Sequence, residues 1–328
     1  MLSRVGEQLY WLARYIERIE NTARLMLVQH HLVLDLPTGI RPGWELMVDV
    51  SGTRDLFDSL HLKPTDKNLV GFLFGSRDNP GSIMSSLAAA RENIRITREV
   101  MPTETWERLN SLYLSVAQRS ARALPGNTRH RVLNDIIQRC QQITGMLAGS
   151  MNNDYAYQFI RIGRNLERAD MSTRIIDTAS ANLLGESDEV LPYRGVLWVS
   201  VLKSLSAYQM YRLNVRRNVN PEDVLQFLLH SKVFPRAVTH TLSEIETSIS
   251  LLPHNDEAAA AVARVRRMLG KANTGALKGE ALNLVYSTCI CRNERELHTS
   301  HRIACQVIRN TVNPQEMFLW NSNIDQPV

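Results

Sequence analysis

Two runs of the chain set arginine against glutamate at helical spacing. RYIERIENTAR (14–24) carries Arg14, Glu17, Arg18, Glu20 and Arg24, and RNLERADMSTR (164–174) carries Arg164, Glu167, Arg168, Asp170 and Arg174. A guanidinium is a planar fork of donors that grips a carboxylate or phosphate through two parallel hydrogen bonds. A glutamate in such company acts as a general base or Mg²⁺ ligand if it stands free, and as a counter-ion if it is paired. Glu17 and Glu167 are thus the candidate catalytic carboxylates. Arg14, Arg18, Arg24, Arg164, Arg168, Asp170 and Arg174 are candidate ligand-binding residues. AAARENIR (88–95) adds Arg91, Glu92, Asn93 and Arg95. The matching segment of the second half, SEIETSI, lacks these arginines, so the third run is either one wall of an asymmetric site or a solvated helix face.

The elements that must position these groups read as long amphipathic helices. At about 100° per residue, Leu9, Leu12, Ile16, Ile19, Ala23, Met26 and Leu27 form one apolar stripe. Phe159, Ile162, Leu166, Ala169, Thr173 and Ile176 form the other, and the charges lie opposite in both helices. The charged faces are not purely polar. Tyr10 and Leu25 interrupt the first, and Ile160, Met171 and Ile175 the second. A helix apolar on both sides is normally covered on both sides. Its charges are then partly buried and must be paired, because an unpaired buried charge is costly. Three readings stay open: buried structural ion pairs, a ligand site, or plain solvated surface. The first two are compatible.

The two runs belong to a longer repetition. Arg14, Glu17, Arg18 and Arg24 recur 150 positions on as Arg164, Glu167, Arg168 and Arg174. Residues 69–94 and 224–249 align without a gap at an offset of 155, sharing Phe72/Phe227, Leu73/Leu228, Ser76/Ser231, Pro80/Pro235, Leu87/Leu242 and Ile94/Ile249; Trp44 and Trp198 fall between. Blocks in one order at nearly one offset indicate a duplicated helical unit. Period-2 alternation does not persist anywhere, and proline- and glycine-containing breakers recur along the chain. The expected fold is all-α: a bundle of about ten to twelve helices built from two units about a pseudo-twofold axis, the two Arg/Glu helices opposed. The units are placed at 1–150 and 151–272, with a divergent segment at 273–328, in one integrated chain. Asn79-Pro80 and Asn220-Pro221 are expected to cap helices with proline in the first turn.

Composition narrows the function classes. With 328 residues and 44% hydrophobic content there is material for a large core. A net charge of +5, with Lys and Arg dispersed, falls short of a dedicated nucleic-acid binder but suits anionic small molecules or an acidic partner. Charges at Arg4, Glu7 and Arg14 leave no secretory h-region, and no window is apolar enough for a membrane span, so a cytoplasmic protein with reduced cysteines is expected. A homo-oligomer is compatible with these features. Cys289, Cys291, His298, His301 and Cys305 match no standard zinc spacing, so no metal site is expected. There is no phosphate-cradling glycine loop and no nucleophile elbow. Cys140 reads as packing. His30 and His31 are placed at the end of the first helix, where a cation complements the dipole.

LSRVGEQLYWLARYIERIENTARLM, AARENIR…TETWERLN and FIRIGRNLERADMSTRIID together resemble the bacterial alpha-E domain proteins, all-helical proteins named for their ER motif. The resemblance covers about residues 1–250 and departs after about residue 270. Such proteins are typically encoded beside a circularly permuted ATP-grasp ligase-like protein, often with a transglutaminase-like peptidase. The resemblance therefore implies a partner or substrate-presenting subunit of an amide- or peptide-forming system, with ATP and Mg²⁺ on the ATP-grasp partner and no cofactor in this chain. The alternative is an enzyme with a Glu/Arg site between the two ER helices, acting on a carboxylate or phosphate substrate.

Overall fold

The computed structural model describes residues 3–36, 45–119, 124, 126–183, 191–253 and 255–271. Among them are thirteen α-helices and no strand: α1 (Ser3–Asp35), α2 (Glu45–Ser51), α3 (Arg54–Ser59), α4 (Asp66–Phe74), α5 (Ile83–Ile96), α6 (Thr103–Ala117), α7 (Gly126–Ser150), α8 (Tyr155–Leu183), α9 (Arg194–Ser204), α10 (Tyr208–Val215), α11 (Pro221–His230), α12 (Val238–Ser250) and α13 (Asp256–Lys271). That is one above the expected range. The six-residue α3 is too short to show an apolar period, and it forms because Phe57 is buried edge-on against Phe72.

The ER helices α1 and α8 lie side by side at the centre. α5, α7 and α9 also pack on α1, while α12, α2 and α9 pack on α8; α6 lies on α5 and α13 on α12. Both expected stripes are core: Leu9, Leu12, Ile16, Ile19, Ala23 and Met26 are buried, as are Phe159, Ile162, Leu166, Ala169, Thr173 and Ile176. The interruptions of the charged faces are buried too. Tyr10, Ile160, Met171 and Ile175 are all inside, and Leu25 is partly so.

Helix starts follow local chemistry, with one correction. Asn220 caps α11 by accepting from the Asp223 amide at 2.9 Å, and Pro221 opens the helix as expected. Asn79-Pro80 does not repeat this. The cap of α5 is Ser82, whose hydroxyl accepts from the Ser85 amide at 3.0 Å. Asn79 is buried one turn earlier, donating to the Phe72 carbonyl and accepting from the Gly81 amide, so its side chain shapes the α4–α5 turn. A second correction concerns His30 and His31. α1 runs on to Asp35, so neither sits in its last turn. His31 instead stacks on His130 of α7 at 5.2 Å. Trp44 and the cysteine–histidine run at 289–305 lie outside the described residues.

Candidate functional site

A tight approach of α1 and α8 sets up the site. Gly163 faces the backbone of Tyr10 so tightly that an added Cβ would stand 2.3 Å from the Tyr10 carbonyl oxygen and 3.3 Å from the Ala13 Cβ. With two small residues at the crossing, the glutamates one turn further along each helix come within reach of the opposite helix's arginines.

The resulting pairs are reciprocal. Glu167 receives Arg14 Nε at 2.6 Å, Arg18 Nε at 2.6 Å and Arg18 Nη2 at 2.9 Å. Glu17 faces Arg168 Nε at 3.0 Å, and Arg164 also acts on it. Each helix thus offers its glutamate to the other's arginines. Both carboxylates are shut away from water, Glu17 at 1% exposure and Glu167 at 2%. Burial alone would push a carboxyl toward its neutral form. The guanidiniums outweigh it: Arg18 and Arg14 hold Glu167 down at about 2, and Arg236, Arg168, Arg164 and Arg24 lower Glu17. Burial likewise opposes the charge on Arg14 and Arg18, but Glu167 raises both above the ordinary guanidinium value. Arg14 also donates to the Tyr10 hydroxyl and lies over the rings of Tyr10 and Trp11.

Around this pair the acidic residues one turn on hold the outer arginines. Asp170 accepts from Arg174 Nε at 2.9 Å and contacts Arg14 at 3.5 Å, while Arg174 reaches the Ser51 carbonyl at the end of α2. Glu20 accepts from Arg24 Nη2 at 2.7 Å and from Gln141 Nε2 of α7 at 3.3 Å.

Arg236 completes the arrangement and was not among the expected residues. From the turn before α12 its Nη1 lies 2.7 Å from Glu17 and donates to Asn21 Oδ1 at 2.7 Å, while Nη2 donates to Glu20 at 2.9 Å. Its match in the first half is Gly81, so the repetition conceals it. The available signal is a charged residue in the apolar stretch FPRAV, just before a helix N-terminus, where a cation is disfavoured by the dipole. Glu17 and Glu20 supply the compensation, and burial notwithstanding they raise the pKa of Arg236.

The third run lies elsewhere. Arg91 turns toward α6, donating to Asn110 Oδ1 at 2.7 Å and lying over Trp106 and Tyr113. Glu92 and Arg95 pair with each other on the exposed face of α5. Asn93 is half-buried and its carbonyl accepts from the Thr97 hydroxyl. None of the contacts of these four reaches Glu17 or Glu167, so the expected asymmetric wall is not part of the ER cluster. Cys140 is buried on α7, where burial, with Glu20 and Glu17 adding to it, pushes the thiol up, away from nucleophilic use. No group of three or more His, Cys, Asp or Glu residues is arranged to hold a metal ion among the described residues, and no described helix is long and apolar enough to cross a membrane.

Residues 1–306 match the Alpha-E family, described as a predicted alpha-helical domain with a conserved ER motif. The match runs past residues 250 and 270, so the family pattern extends further toward the C-terminus than the sequence motifs indicate. The chain is 21% identical over 296 residues to an uncharacterised protein of Mycobacterium bovis and to two of Mycobacterium tuberculosis. The aligned part is 83% of this chain but only 32% of each relative, so the chain spans about a third of their length. No solved structure matches it. With the ER pair at its centre and the family pattern covering nearly its whole length, the chain belongs to the Alpha-E family.

Proposed function

We propose that this chain is a cytoplasmic partner or substrate-presenting subunit of an ATP-grasp-type amide- or peptide-ligase, or peptide-modification, system, and that its ER motifs are a structural latch. The observation that carries the latch is the reciprocal clamp, in which Glu17 and Glu167 are each buried among guanidiniums of the opposite ER helix. A buried carboxylate held toward its ionised form by paired guanidiniums is a poor proton acceptor. The chemistry is then assigned to the partner, which would bring ATP and Mg²⁺; a transglutaminase-like peptidase is a further candidate associate. The length of the mycobacterial relatives, about three times the matched segment, fits a module that works joined to others.

The same geometry supports the duplication. α1 packs with α5 as α8 packs with α12, and α6 lies on α5 as α13 lies on α12. The Arg18–Glu167 and Arg168–Glu17 pairs are those that a twofold between the two units would exchange.

The test is reconstitution with a circularly permuted ATP-grasp protein of the kind the family resemblance implies. The wild-type chain should bind that protein and raise ATP-dependent product formation. Glu17→Gln and Glu167→Gln should lose stability, and should lose binding and turnover only in that proportion. A Glu17→Gln or Glu167→Gln chain that melts and binds as wild type yet abolishes turnover would place catalysis at the ER pair and overturn the latch.

A further inference from the structure

The third run has no part in the ER clamp, yet it is held firmly to α6. Arg91 donates to Asn110 Oδ1 at 2.7 Å and lies over the rings of Trp106 and Tyr113, and Arg98 lies 4.1 Å over Trp106. Beside these contacts an open groove of about 470 Å³ runs along α6 from Trp106 to Gln118, within the size range of ligand clefts. It lies opposite the face that α6 buries through Thr105, Leu109, Leu112 and Val116.

The lining is built of donors. Three neutral groups each have their oxygen taken by a guanidinium: Asn110 by Arg91, Ser111 by Arg139 of α7 at 3.3 Å, and Ser115 by Arg119. Serines on other helices turn the hydroxyl hydrogen back on their own turn, as Ser150 does to the Met146 carbonyl at 2.7 Å and Ser204 to the Ser200 carbonyl at 2.9 Å. Ser111 and Ser115 donate to no described residue, and neither does Asn110 Nδ2. An oxygen bonded to a cation makes its own group a stronger donor. Glu107 supplies the one carboxylate of the lining, an acceptor, and Trp106 with the exposed Leu114 supplies apolar surface. These groups sort the ligands. A phosphate or free carboxylate would meet Glu107 as a like charge. An apolar helix would cover the donors without answering them, which is costly. An extended peptide brings carbonyls to the donors, amide hydrogens to Glu107, and side chains to Trp106 and Leu114. Trp106 to Gln118 spans about 18 Å of helix, room for about five extended residues.

We propose that the α6 groove binds an extended peptide segment through its backbone, with Asn110, Ser111 and Ser115 donating to its carbonyls and Glu107 accepting from its amides. The inference deepens the substrate-presenting role above by naming the class of what is presented. Peptide binding by the chain alone tests the groove, and reconstitution tests the partner role, so the two failures are distinguishable.

The experiment is fluorescence anisotropy of the full chain with a fluorescein-labelled, amidated pentapeptide, Ala-Leu-Ser-Leu-Ala. Backbone recognition is sequence-tolerant, so this peptide should bind saturably, with half-saturation below about 1 mM. The same peptide N-methylated at every backbone amide lacks the hydrogens for Glu107 and should not bind. Ser111→Ala with Ser115→Ala removes two donors from the outer face of α6 and should weaken half-saturation at least tenfold while Tm stays at the wild-type value. Glu107→Ala, the second variant, removes the acceptor and should weaken it likewise. No saturable rise with the wild type, half-saturation unchanged in both variants, or displacement of the peptide by inorganic phosphate at constant ionic strength would overturn the peptide groove.

Discussion

The sharpest consequence of the α1–α8 crossing is a reversed sign for an ordinary substitution. Replacing a glycine inside a helix by alanine normally stabilises by about 1 kcal/mol. Gly163→Ala should do the opposite. The new methyl would stand 2.3 Å from the Tyr10 carbonyl oxygen, a backbone atom that cannot swing aside. Restoring ordinary contact requires α1 and α8 to part by about 1 Å. One turn on, Arg14 and Arg18 reach Glu167 at 2.6 Å, and the same displacement would carry both out of hydrogen-bonding range. Overpacking costs about 1–3 kcal/mol, and disruption of a buried ion pair about 3–5 kcal/mol when complete. Against about 1 kcal/mol of propensity gain, the expected net is a loss of about 2–4 kcal/mol. Gly145 on α7 is the control, because an added Cβ there meets nothing within 4 Å. Urea denaturation of wild type, Gly163→Ala and Gly145→Ala would measure both. Gly145→Ala should move the midpoint up and Gly163→Ala down. A Gly163→Ala midpoint that rises with the control would show that α1 and α8 are not in backbone contact there, and the tight latch would fail with it.

Two further outcomes follow from the charges. Arg236→Gln leaves Glu17 and Glu20 buried without their shared partner and should cost about 3–5 kcal/mol in urea denaturation, whereas Glu92→Gln on the exposed face of α5 should leave the midpoint unchanged. On acidification, stability should fall in two stages in a pH series of melts. Burial, with Arg129 and His31, lowers His30 below the ordinary 6.5, and burial, with His130, lowers His31. The unfolded chain then takes up those protons first, so stability is full above about pH 6.5 and declines below it. His30→Gln with His31→Gln should remove this stage. Glu167 is held at about 2 against an ordinary 4.5, so its contribution, on the order of 3 kcal/mol, is full above the ordinary value and lost as pH falls toward 2. Glu167→Gln should flatten that second stage.

Much of this arrangement is written in residue spacing. The stripe Leu9, Leu12, Ile16, Ile19 follows the helical period, and burial of that stripe needs no knowledge of what covers it. Tyr10 and Ile160 on the charged faces announced that those faces are covered as well, because an apolar side chain among ions signals missing water. The motif residues Glu17, Arg18, Glu167 and Arg168 were legible as a unit for the same reason. Asn79 misled because Asn-Pro before a helix satisfies the capping pattern, while the choice between Asn79 and Ser82 depends on where α4 ends.

What one chain position does to another 150 or more residues away is a different matter. Local propensity and periodicity decide which residues a helix turns inward, and these are properties of neighbours in sequence. They are silent on which inward faces meet. Only the packed structure brings Gly163 against Tyr10, makes the Arg–Glu pairs reciprocal, sends Arg91 to Trp106 rather than to Glu17, and draws Arg236 from the α11–α12 turn to two carboxylates on α1. The physical reason is range. Helix formation is settled over a few residues, whereas the pairing of buried charge is settled by whichever groups the closed interior leaves within about 3 Å of one another.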